Sequence, residues 1–363
     1  MPSHIQTPVM SEFAKIWPVP TMAVWCEELS TSRRNLGWTT ECLQQVDEVV
    51  LPRKNYQRKI EELIAERRQA VHIFSGLHAY PPIISAYQTA VRLEASRLAL
   101  MVESGVLWGF KGWMRPLRAR LLARYYTPHV RLVLAMGQAG VEFYRRAGFN
   151  EETIYPFLYQ SPMSSAVSPE SVNAPVRMIY IGQFTRRKGV DVLLKAVSGL
   201  APRNWSLTLV GDGPEVARLK YSVSPDIQSR LQWHGVVPCN EVPTLLRAHD
   251  ICVVPSRFDG WGVVTNEAIC AGIPVVCSDR AASNELVTYS GAGDLFRAGN
   301  AASMRDALQV LLDDPQRIIQ AKRRATQFRS RLEPVRIAQY LSDLLRHCFC
   351  GEPKKPQAPW VTS

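Results

Sequence analysis

Two carboxylates, Asp259 and Glu267, stand in RFDGWGVVTNEAICAG (257–272) with seven residues between them, directly after the apolar run ICVVPS. Ionised carboxylates accept hydrogen bonds from hydroxyl groups. Gly260 and Gly262 flank Trp261 and let backbone amides approach a ligand, and a helix expected on TNEAICAG aims its positive end at the same point. A second segment, IGQFTRRKGVD (181–191), opens with Gly182 and Gln183, gathers Arg186, Arg187 and Lys188, and closes with Gly189 before a helix. Glycines, cations and free helix amides together hold phosphate. A third, LVGDGPE (209–215), sets Gly211 and Gly213 in a tight turn between a strand and a helix. The three segments describe a pocket for a molecule with a diphosphate and several hydroxyls.

Such loops need strands to end at one place. Short apolar runs alternate with helical patterns twice over: TMAVWCEE, DEVVLP, AVHIFSG, RLALMVES and RLVLAMG in the first half, then VRMIYIG, WSLTLVGDG, LQWHGVV, DICVVPS and IPVVCS. All are expected to be buried strands of parallel sheets covered on both faces. The expected class is α/β, with two doubly wound Rossmann-like domains facing a central cleft. The boundaries expected are 1–166, a linker at 167–175 within the Ser- and Pro-rich SPMSSAVSPESVNAP, a second domain at 176–334, a helix at 335–350 crossing back to the first domain, and a disordered tail at 351–363. Met1–Pro8 holds no apolar run, and the helix-like TPVMSEFAKIW comes at once. Either the first strand of this domain lies elsewhere in the order, or the domain lacks it because of a late start.

Composition narrows the partners. The chain has 363 residues, 46% of them hydrophobic, and a net charge of +11. No apolar run approaches the ~20 residues of a membrane helix, and no signal segment opens the chain, so a cytoplasmic protein is expected. Six basic residues and no acid lie between Lys111 and Arg131. Trp108, Phe110 and Trp113 precede that Arg-rich run, so 108–126 has the composition of a segment resting on an anionic membrane surface. A solvated helix face with inward Leu and Trp is the alternative. No C-x-x-C occurs among the eight cysteines, and Cys252, Cys270 and Cys277 sit in apolar surroundings, which points to reduced structural thiols. No G-x-G-x-x-G follows a strand, which disfavours a dinucleotide dehydrogenase. The basic patch lacks RNA-recognition motifs, so no nucleic-acid partner is expected.

In their order and spacing, G-x-x-x-x-x-K-G, LVGDGPE, HGVVP (234–238) and PSxxDGWGxxxxEAICAGIPVVxSD resemble the C-terminal domain of retaining glycosyltransferases of family 4, the bacterial envelope-polysaccharide type with the GT-B fold. The resemblance runs from about residue 176 to 345. It is looser in the first half, through HIQTP, LMVES and AMGQAGVEFYRRAGF. It implies Glu267 on the ribose hydroxyls of a nucleotide-sugar donor, Lys188 on its diphosphate, and Asp259 near the transferred sugar, where the family usually has Glu. Gln183 stands where the family commonly has Arg, with Arg187 or Arg186 as replacement. The amides of Gly260, Trp261, Gly262 and Val263 would meet the donor, and Gly235 and Val236 would lie beside its base. His78 is a catalytic candidate over the donor, His4 and Gln6 belong to a first loop over the donor and with Glu103 are the acceptor-side candidates; packed, structural roles for His78 and Glu103 stay open. The resemblance also implies an enzyme with no cofactor and no metal, consistent with the absence of D-x-D, and a saccharide acceptor. That acceptor is lipid-linked if 108–126 rests on the inner face of the plasma membrane, as in envelope polysaccharide or lipopolysaccharide synthesis. A catalytically weak nucleotide-sugar-binding or scaffold protein on the same fold is the alternative.

Overall fold

The computed structural model describes residues 5–35, 37–38, 43–76, 80–105, 115–163, 172, 175–201 and 204–361. The chain forms two compact units, one from Met1–Ser30, Thr40–Tyr159 and Val335–Pro359, the other from Thr31–Thr39, Gln160–Pro334 and Trp360–Ser363. Among the described residues no helix is long and apolar enough to cross a membrane.

The first unit contains strands β1 (Thr21–Trp25), β2 (Val46–Val50), β3 (His72–Ser75), β4 (Leu98–Val102), β5 (Val130–Met136) and β6 (Ile154–Phe157). The last four pair in parallel in the order β3-β4-β5-β6. Helices Pro81–Arg92, Arg115–Tyr126 and Gly137–Ala147 connect them, the last ending in the left-handed Gly148 at φ 92°. Central β4 and β5 are almost continuously apolar, as strands covered on both faces must be. The expectation that TMAVW and DEVV are buried in this sheet is corrected. Among the described residues β1 and β2 pair only with each other, and Val24 and Val50 are exposed. Asp47 and Glu48 in β2 set the limit, since a strand carrying two adjacent acids has no purely apolar face to bury. Glu48 instead accepts from Trp25 Nε1 at 2.8 Å and from the Leu43 amide at 3.1 Å. From Val335 onward, the helix Pro334–Cys350 belongs to this unit, where Tyr340 Oη donates to the Pro156 carbonyl at 3.2 Å.

The second unit contains β7 (Val176–Ile181), β8 (Trp205–Val210), β9 (Leu231–Gly235), β10 (Ile251–Val254), β11 (Val275–Ser278) and β12 (Gly293–Phe296). All pair in parallel, in the order β12-β11-β10-β7-β8-β9. Chain order reverses between β7 and β10, and in open α/β sheets such a reversal leaves a crevice at the carboxyl ends of the two strands. Behind the same two strands, buried Asp250 accepts from the Arg177 amide at 2.9 Å and from Lys322 Nζ at 2.8 Å, tying the start of β7 to the approach to β10.

Two boundary expectations change. The units divide at Tyr159/Gln160, ahead of the expected linker, and Gln160 and Ser161 are buried in the second unit. The tail expected to be disordered is ordered through residue 361, and Trp360 is fully buried, its Nε1 donating to Glu285 Oε1 at 2.9 Å. Lys and Pro dominate that tail's composition, but burying one indole outweighs them.

Candidate functional site

The site grows from the loops after β7 and β10. Gly189, at φ 72°, lies so close to the second loop that a Cβ would stand 2.1 Å from the Pro255 carbonyl oxygen. Only glycine combines that backbone angle with that approach. The seam is reinforced by the Arg257 amide, which donates to the Arg187 carbonyl at 2.8 Å. The Arg257 guanidinium also grips Asp191 through two bonds of 2.7 Å. Across the seam Lys188 Nζ pairs with Asp259 Oδ2, and Arg187 Nη1 reaches Asp259 Oδ1 at 3.3 Å. Burial alone would raise the Asp259 carboxyl; the charges and hydrogen bonds of Lys188 and Arg187 outweigh it and hold the group below the ordinary aspartate value.

The resemblance implied separate duties for these residues, Lys188 on phosphate and Asp259 near a sugar. The structure brings them into one ion cluster, so Asp259 is already engaged by both cations. Lys188 and Arg187 keep 20% and 48% of their side chains exposed, which leaves ammonium and guanidinium hydrogens for an anion.

Glu267 lies in the helix Val264–Cys270 and accepts from Ser161 Oγ at 2.7 Å. Burial pushes its carboxyl above the ordinary glutamate value, and the Ser161 bond offsets part of that rise. Beside it, Trp261 Nε1 donates to Asn266 Oδ1 at 2.9 Å, and Asn266 Nδ2 donates to Gln160 Oε1 at 3.0 Å. The Trp261 indole is core, only 2% exposed, so at 260–263 the backbone and not this side chain is offered to a ligand. Gln160 and Ser161 are the residues that sequence reasoning missed here. They sit in a Ser- and Pro-rich stretch that carries no local signal of a role.

Gly211 and Gly213 are small because loops pack on them. A Cβ on Gly211 would stand 2.0 Å from the Gly182 carbonyl oxygen, and one on Gly213 would stand 2.6 Å from that of Phe184. Gln183 is anchored by its own carbonyl, which accepts from Tyr180 Oη at 2.8 Å. Gly235 accepts from the Gly211 amide at 2.7 Å, and Val236 next to it is exposed.

In the first unit, His4 and His78 lie outside the described residues. Gln6 Nε2 donates to Ser75 Oγ at 3.4 Å, at the end of β3. Glu103 follows β4 and is hydrogen-bonded to Tyr159, which also bonds Ser75. Tyr159 was not foreseen; nothing in its local sequence distinguishes it. In the segment 108–126, residues 106–114 are outside the described set, while Arg120, Leu121, Arg124 and Tyr125 are exposed on the helix Arg115–Tyr126. Among the described residues no cluster of His, Cys, Asp and Glu is arranged to hold a metal ion.

Residues 175–314 match the family described as glycosyl transferases group 1. The chain is 28% identical over 176 residues to the lipopolysaccharide core biosynthesis mannosyltransferase LpsB of Rhizobium meliloti, covering 45% of this chain and 50% of that protein. It is 26% identical over 142 residues to the α-D-kanosaminyltransferase of Streptomyces kanamyceticus, covering 38% of this chain and 37% of that one. The chain thus spans half or less of the length of these relatives. The structure of Anabaena Alr3699/HepE in complex with UDP and glucose superposes with a TM-score of 0.69 at 17% identity, over 93% of this chain and 95% of that one. The architecture is the GT-B fold.

Proposed function

We propose that this chain, which has the GT-B fold and matches the group 1 glycosyl transferases across the sheet carrying the site, moves a sugar from a nucleotide-sugar donor to a hydroxyl of a saccharide acceptor. The observation that carries the reading is the meeting of Lys188, Arg187 and Asp259 at the point where strand order reverses, with Glu267 on the adjoining helix. In this reading the two cations take the donor diphosphate and stabilise the negative charge that grows on it as the glycosidic bond breaks. Asp259 holds them in place. Glu267, as a carboxylate, accepts from the ribose hydroxyls. Gln6, Ser75, Glu103 and Tyr159 are the acceptor-side residues.

Retention of configuration and independence from metal draw only on the resemblance of these motifs to family 4. A role in envelope polysaccharide or lipopolysaccharide synthesis draws on relatives such as LpsB. A lipid-linked acceptor and a cytoplasmic protein resting on the membrane draw on 108–126. Vesicles containing anionic lipid should then retain the protein at low salt and release it at high salt; equal retention by neutral vesicles would remove the membrane part.

A sugar-nucleotide-binding protein with little turnover is the second reading, favoured by the prior engagement of Asp259. Calorimetry with UDP, GDP, ADP and TDP in EDTA, on wild type and Glu267→Ala, tests the site. Micromolar binding of one diphosphate, lost in the variant, supports it; no binding to any of them sinks both readings. Hydrolysis or transfer of the matching sugar nucleotide then separates enzyme from binder.

A further inference from the structure

Residues 31–38 are flanked by first-unit chain yet group with the second unit. Thr31–Arg34 makes one helical turn that closes through Gly37 at φ 78°. The Gly37 amide donates to the Arg34 carbonyl at 2.9 Å and the Trp38 amide to that of Arg33 at 3.1 Å, the crossed pair that ends a helix on a left-handed glycine. The Arg33 guanidinium lies 4.3 Å from the centre of the Trp38 ring. Such caps usually join these two positions by an apolar contact; here a cation stacked on an indole takes its place.

This cap is seated on the loop after β9. The Cys239 amide donates to the Gly37 carbonyl at 2.8 Å, and a Cβ on Gly37 would stand 2.0 Å from the Val237 carbonyl oxygen. The contact is the last in a row of close backbone approaches along the carboxyl edge of the sheet. Gly182 meets Gly211, Gly211 meets Gly235, and the loop beyond Gly235 meets Gly37. The rim therefore runs from the cationic loop to the Arg33–Trp38 stack. In the other direction the loop after β10 is bonded to the loop after β11: the Asp259 amide donates to the Arg280 carbonyl at 3.1 Å, and the amides of Ala282 and Ser283 donate to the carbonyls of Asp259 and Trp261 at 3.2 and 2.9 Å. A nucleotide whose diphosphate rests on Lys188 and Arg187 would extend its base along this rim, toward β9.

We propose that the Arg33–Trp38 stack is the base-side wall of the nucleotide site and that Trp38 sets the preference among nucleobases; this rests on the donor reading above. A flat heterocycle stacks on indole and guanidinium faces, and Gly37 fixes the height of that wall over the loop.

Wild type, Trp38→Ala and Trp38→Phe are titrated with UDP, GDP, ADP, TDP and inorganic pyrophosphate, with thermal melts confirming that each variant is folded. Trp38→Ala should weaken the preferred nucleoside diphosphate about tenfold and narrow the spread among the four. Pyrophosphate affinity should stay unchanged, and Trp38→Phe should restore most of the preference. Nucleotide affinities that all stay within about twofold of wild type, or an equal loss for pyrophosphate, overturn the wall while leaving the donor site standing. A wild type that prefers no nucleoside diphosphate over pyrophosphate overturns the donor reading and the wall with it.

Discussion

Ser161 Oγ donates a 2.7 Å hydrogen bond to Glu267 Oε1, so a hydroxyl from a stretch composed like a linker orients the acid proposed for the ribose. The bond favours the ionised form that burial opposes. Ser161→Ala should therefore raise the Glu267 pKa further and weaken nucleoside diphosphate binding about fivefold at neutral pH, the scale of an ordinary hydrogen bond, because Ser161 acts on the ligand through the acid it orients. Calorimetry at pH 6 and pH 8 checks this: the deficit should shrink at the higher pH. A deficit that does not change with pH would mean that Ser161 acts only through packing.

Glu267→Gln should separate stability from binding. A carboxyl whose folded pKa is raised gives its full contribution to stability below the ordinary glutamate value of about 4.3, and that contribution is lost as pH rises through the folded value. The glutamine variant mimics the protonated form. It should melt higher than wild type at pH 8, and the advantage should vanish below about pH 4, where the carboxyl is protonated in both folded and unfolded chains. Its nucleotide affinity should be low at every pH, whereas that of wild type should fall on acidification through the raised pKa. Melts showing no gain at pH 8 would contradict the burial cost assigned to Glu267.

Lys188 and Asp259 should fail differently. Lys188→Ala removes a cation and should weaken diphosphate binding about tenfold to a hundredfold, the scale of a charged hydrogen bond. Asp259→Asn keeps both cations but loosens their placement. It should lower kcat more than it raises KM for the donor. Asp259 is depressed by its cations, so its contribution to stability is present above the ordinary aspartate value of about 3.9 and is lost as pH falls through the lower folded value. Steady-state kinetics on the donor identified by titration decides; equal effects of the two variants on KM and kcat would refute the division of labour.

Asp250 and Lys322 are both buried and bonded at 2.8 Å, with Arg177 as a second cation. Asp250→Ala leaves the Lys322 charge without a partner and should cost about 3–5 kcal/mol in urea unfolding. Lys322→Met leaves Asp250 paired with Arg177 and should cost distinctly less. A larger loss in the methionine variant would reverse the order argued here.

Sequence alone determined β7 to β11 of the second sheet, though not β12, and the chain order of the site. Parallel strands covered on both faces read as continuous apolar runs, and the loops that follow them carry their glycines and cations locally. The pairing of those groups was not local. Lys188 and Asp259 lie 71 residues apart, and Ser161 and Glu267 lie 106 apart. No periodicity reports contacts of that span, so Asp259 read as a sugar-facing acid and Ser161 as linker. Trp360 illustrates the same limit: its tail is polar on average, and its burial and its bond to Glu285 are tertiary contacts that the tail's composition does not show. Gly37 is the clearest case. A helix cap explains the glycine within its own segment, and only the Val237 carbonyl 2.0 Å from its missing Cβ shows that the tertiary fold requires it again.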